Sequence, residues 1–103
     1  MPEQRLLKSR RLARVLVEGR KEGVVKERCA EALDAVRRAA HGTAARVLGP
    51  AEAPIARIKD RARWHGLVKA PDAKTLHRVL APLDRAKVKG ATLIVDVDPV
   101  SLL

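Results

Sequence analysis

The chain has no phenylalanine and no tyrosine, and Trp64 is its only aromatic side chain. A core drawn from these 103 residues must therefore be assembled from Leu, Val, Ile and many alanines. A single cysteine, Cys29, excludes an internal disulfide and a cysteine-rich zinc site. No GxxxxGK[ST] segment occurs, so P-loop nucleotide hydrolysis is not expected. No apolar run approaches the roughly 20 residues of a membrane-spanning helix, and residues 1–14 lack the apolar stretch of a signal peptide. The expectation is a single domain in a reduced cytoplasm, away from membranes. Acidic residues are also scarce. Twelve Asp and Glu face 22 Lys and Arg, giving a net charge of +10 and making a polyanion the first partner to consider.

Hydrophobic spacing divides the rest of the chain. In 10–18, Ala13, Val15 and Val17 alternate with Leu12, Arg14, Leu16 and Glu18, which predicts a first strand. From Val24 the period lengthens: Val25, Cys29, Ala32, Leu33, Val36 and Ala40 form one helical stripe, with Asp34 and Arg38 placed to pair one turn apart. Gly42 supplies a stop. A short second strand is predicted over 43–48, ended by 49–54, where Pro50 and Pro54 each remove a backbone donor. The third covers 61–69. Asp72 is a suitable N-cap for a second helix carrying Leu76, Val79, Leu80 and Leu83, shortened by Pro82. Leu93, Val95 and Val97 mark a fourth strand closed by Pro99. The order β-α-β-β-α-β is that of an α+β, ferredoxin-like fold, with a four-stranded antiparallel sheet and two helices on one face. The other face is expected to stay open or to meet a partner. Residues 1–9 are expected to be a basic arm, or a solvated lead into the first strand, ahead of the 10–103 domain.

Arg57, Lys59, Arg61 and Arg63 recur at every second position with Lys69 in phase, so an extended backbone would align them on one face. Ala62, Trp64, Gly66 and Val68 would then face a core. Trp64 has two roles open to it, stacking on a base and packing in a core that has no other large residue. Asp96 and Asp98, two positions apart, are expected to pair with arginines of the proline-bounded loop rather than to catalyse. His41, His65 and His77 share no ligand spacing, so no metal site is predicted, and no catalytic residue is identified.

The segment VLGPAEAPIARIKDRARWHGLVKAP, followed after a helix by VDVDPVSLL, resembles the C-terminal domain of the PriA (primosomal protein N′) replication-restart helicase family over residues 10–103. The resemblance implies a fold similar to the ribosomal protein also called NusE, with a long β-hairpin loop. It implies a non-catalytic domain that helps to hold single-stranded or branched DNA, while ATP and zinc belong to other domains of the parent helicase, leaving no cofactor for this chain. The implied DNA contacts are Arg57, Lys59, Arg61, Arg63 and Lys69, joined by Arg11 and Arg14 of the basic start and by Trp64 as a stacker. The family also docks the acidic tail of single-stranded DNA-binding protein beside the second helix. The matching positions here are Ala73 and His77, where a basic and an amide side chain are usual, with Lys74 and Arg78 as substitutes.

Two function classes follow: a sequence-independent DNA-binding domain, and a protein-interaction module docking that tail, other primosome proteins or the helicase core. A ribosomal-type RNA-binding protein and an acylphosphatase-like hydrolase share the fold but not the motifs.

Overall fold

The computed structural model describes residues 10–84 and 88–98. Its elements run β1 (Arg11–Gly19), α1 (Glu22–Ala40), β2 (Arg46–Ile58), β3 (Arg61–Ala70), α2 (Ala73–Leu80), a 3-10 turn (Ala81–Leu83) and β4 (Thr92–Val97). The sheet order is β2-β3-β1-β4 and each pair is antiparallel. Each helix thus connects two strands that have another strand between them, as a split βαβ requires. The predicted ferredoxin-like α+β fold is observed. The basic arm 1–9, Pro99 and the residues after it lie outside the described residues.

One face of the sheet and both helices make the core. Ala13, Val15 and Val17 of β1 and Ala62 and Val68 of β3 meet the α1 stripe Val25, Cys29, Leu33 and Val36. Burial pushes the Cys29 thiol up to about 11, so it stays protonated at neutral pH. From α2 come Leu76, Val79 and Leu80, with Leu83 of the 3-10 turn. Asp72 caps α2 by accepting from the Thr75 backbone N–H at 2.7 Å, and this bond holds its carboxyl below the usual range. At the end of α1, Thr43 closes on the Ala40 carbonyl through its backbone N–H and its Oγ1. On the outer face of α1, Asp34 pairs with Arg37 at 3.1 Å rather than with the expected Arg38, because one turn is bridged equally well at i,i+3.

The prolines do not end β2. The strand continues to Ile58, with register shifts between Leu48 and Ala51 and again between Glu52 and Arg57. β2 is an edge strand, and at an edge or a bulge a proline removes no ladder bond that a neighbour needs. Pro50, after a cis peptide bond, falls in the first shift and Pro54 in the second. Gly49 is required in the first, since its φ is +106° and a Cβ there would stand 2.9 Å from the His65 carbonyl oxygen.

The face away from the helices is also less open than expected. Arg14, Leu16 and Arg63 are buried on it, as is Ala53 in the second register shift. That shift sets 53–56 against Arg63, whose Nη1 donates to the Ile55 carbonyl at 2.8 Å. The strand departs from regular pairing and closes over part of its own sheet.

Candidate nucleic-acid interface

The expected ribbon of alternating cations is broken by a turn. Lys59 and Asp60 occupy positive-φ positions between the paired residues Ile58 and Arg61, the geometry of a two-residue hairpin loop. Arg57 is paired with Ala62 and so shares its face, while Arg61, Arg63 and Lys69 lie on the other. Lys59 sits at the tip. Phase across a hairpin turn does not carry over, which is why a period of two misread five cations as one face.

The cations on that face differ in exposure. Arg63 is buried, with 7% of its side chain exposed, and its Nε donates to Glu18 Oε2 at 3.2 Å. Arg14 is equally buried. Its Nη2 lies 3.9 Å from Asp96 Oδ2, while its Nε and Nη1 find no hydrogen-bond partner among the described residues. Between them His65 is held below its ordinary range by burial first, then by Arg14 and Arg63. These groups form an internal polar layer, and neither arginine has the exposure that a phosphate contact requires. Asp98 pairs with Arg11 at 3.5 Å. The two C-terminal aspartates therefore bind arginines of β1 and not those of the proline-bounded loop, because β4 is registered directly against β1.

Lys69 is different. It is exposed and stands directly opposite Arg46 of β2, with Arg10 beside them, in a groove of about 540 Å³ that Leu48 and Pro71 complete. Like charges paired across strands repel, and among the described residues no carboxylate lines this groove. Arg10 and Arg46 were not singled out by the sequence. They are distant from Lys69 in the chain, and only the strand register reveals the cluster.

Trp64 is half-buried against the core on the helix side, where Lys26 Nζ stands 5.1 Å from its ring centroid. It occupies the packing role and faces away from Lys69. Of the residues proposed for partner docking, His77 lines a groove of about 250 Å³ with Arg11, Leu76, Leu80, Val97 and Asp98. Ala73 lines it too, whereas Lys74 and Arg78 are exposed on α2 outside its lining. Among the described residues no group of three or more His, Cys, Asp or Glu is placed to hold a metal ion. No described helix is long and apolar enough to cross a membrane.

Comparison with known proteins gives the geometry a context. The De novo designed protein Foldit4 superposes with a TM-score of 0.55 at 14% identity, covering 90% of this chain and 100% of its own, which speaks for the fold alone. The Replication restart protein PriA of Synechocystis sp. is 44% identical over 59 residues, 54% of this chain and 7% of that protein. The chain thus spans a small fraction of its curated relative. The Primosomal protein N C-terminal domain family matches over residues 9–100, nearly the whole chain. The chain belongs to the Primosomal protein N C-terminal domain family, the C-terminal domain of PriA-type replication restart proteins.

Proposed function

We propose that this domain is a non-enzymatic, cytoplasmic accessory module that holds single-stranded or forked DNA through its phosphates, without a resident cofactor. The observation that carries this reading is the Arg46–Lys69 pair with Arg10 beside it. Two cations opposed across a strand pair cost stability unless an anion meets them, and a surplus of ten positive charges selects a polyanion. Phosphate contacts of this kind carry affinity without sequence preference.

The test is a salt titration of strand binding. Arg46→Ala with Lys69→Ala should weaken binding of an oligothymidylate strand by about tenfold and reduce the slope of log K against log salt by roughly 1.4, at about 0.7 per phosphate. An unchanged slope would refute the assignment.

A second reading is favoured by the groove beside α2. Val97 is 57% exposed there, in a lining it shares with Leu76, Leu80, His77 and the Arg11–Asp98 ion pair. The apolar floor suits the apolar terminus of a peptide such as the tail of single-stranded DNA-binding protein, whose acidic residues would compete with Asp98 for Arg11. The two grooves have no lining residue in common. A tail peptide that displaces the strand would tie both ligands to one site and contradict separate grooves.

A further inference from the structure

We infer that a second cationic groove, at the opposite end of the sheet, seats the sugar–phosphate backbone of a DNA strand. The inference rests on the DNA-binding reading above and adds a separate surface to it. The groove measures about 690 Å³ and gathers Arg20 and Lys21 from the β1–α1 turn, Arg28 from α1, Arg61 from β3 and Lys89 from the segment before β4. Five cations from four separate parts of the chain converge there, and among the described residues no carboxylate lines it. Among the described residues Arg61 is oriented by neutral acceptors only, its Nη2 lying 3.2 Å from Thr92 Oγ1 and 3.4 Å from the Glu18 carbonyl. Its charge is fixed in place without being neutralised. Arg28 is the partial exception, since it pairs with Glu31 at 2.6 Å while its Nε donates to the Lys89 carbonyl. Arg20, Lys21 and Lys89 are exposed, and no ion pair to them is found among the described residues.

Charge complementarity therefore selects an anion, and the spread of cations along the groove selects a repeating one over a single phosphate. The lining contains no aromatic ring on which a base could stack. A strand would lie with its phosphates inward and its bases outward, giving salt-dependent binding without sequence preference. Together with the Arg46–Lys69 groove, this places a phosphate-binding surface at each end of β3.

The experiment compares two double variants that lose equal charge. Lys21→Ala with Lys89→Ala removes two lysines of the groove, and Lys26→Ala with Arg38→Ala removes two cations of α1 outside it. Binding of a labelled oligothymidylate strand is followed by anisotropy across a salt series, with circular dichroism confirming the fold. The groove variant should lose about tenfold in affinity and roughly 1.4 in salt slope, and charge reversal of the same two lysines should deepen the loss. The control should change affinity by less than about twofold. Equal losses in both variants would show an effect of net charge and overturn the groove. So would an unchanged slope in the groove variant, which leaves the DNA-binding reading standing. Displacement of the strand from the unsubstituted protein by low-millimolar inorganic phosphate would make this a small-anion site and overturn the backbone assignment. A failure of the unsubstituted protein to bind any strand would remove both readings together.

Discussion

Arg63 and Lys69 are cations on the same face of the same strand, six residues apart, and they behave oppositely. Arg63 is enclosed by Glu18 and by the carbonyl of Ile55, whereas Lys69 is exposed and faces another cation. The difference comes from β2. Where that edge strand breaks register it folds over Arg63, and where it runs regularly it presents Arg46 to Lys69. A basic strand is therefore not one functional surface. Its charges are divided between an internal layer that holds the hairpin to the sheet and an outer rim available to a ligand.

Removing the internal charge should have the largest effect. Arg63→Ala leaves Glu18, with only 21% of its side chain exposed, without its partner and leaves the Ile55 carbonyl without its donor. Breaking a buried pair on one side typically costs about 3 kcal/mol. Denaturant unfolding should show a loss of that size, and replacing both partners, as in Glu18→Leu with Arg63→Met, should recover much of it. A loss below about 1 kcal/mol for Arg63→Ala would place Arg63 with the rim cations and remove the contrast with Lys69.

Gly66 stands between the two cations, at the point where α1 crosses β3. A Cβ there would lie 2.6 Å from Leu33 Cδ2 and 2.7 Å from the Leu48 carbonyl oxygen, and Leu33 is fully buried. Gly66→Ala should cost about 2 kcal/mol through overpacking. Leu33→Ala should relieve part of it, so the double variant should be more stable than the sum of the single losses predicts. Strict additivity in thermal or denaturant unfolding would show that the helix does not seat on this glycine.

Much of this arrangement was legible in the sequence. The stripe from Val25 to Ala40, the alternation in β1 and β4 and the Asp72 cap each follow from a period or from a single side-chain bond, and local signals of that kind survive folding. The turn at Lys59 and Asp60 was not legible, because neither residue is the glycine or asparagine that usually marks a two-residue hairpin. Missing it merged the end of β2 with the start of β3 and lent Arg57 the phase of Arg61. Edge position was equally hidden. Pro50 and Pro54 read as terminators until the strand order shows that no described strand pairs on their outer side. The Arg10, Arg46 and Lys69 cluster depends on register between distant segments, which composition and spacing do not encode.

The mildest test of the internal layer is its pH dependence. His65 faces Leu16 and Ala51 across the sheet, near Arg14 and Arg63, and its Nδ1 is buried without a partner among the described residues. Burial, followed by the two arginines, lowers its pKa below the ordinary 6.5. The unfolded chain therefore binds the proton at higher pH than the folded one. Stability from this group is complete above about pH 6.5 and is lost as the pH falls from there toward the lowered folded value. Asp72, whose carboxyl is also held low, contributes a separate loss that begins nearer its own ordinary 3.8. Denaturant midpoints measured from neutrality down to about pH 3 should decline for the unsubstituted protein, and His65→Gln should flatten the decline above about pH 5 without altering the acid limb set by Asp72. Parallel declines in both proteins would show that His65 is not part of the charged layer around Arg14 and Arg63. The contrast with the solvent-facing rim at Lys69 would then depend on Arg63, through its bonds to Glu18 and to the Ile55 carbonyl.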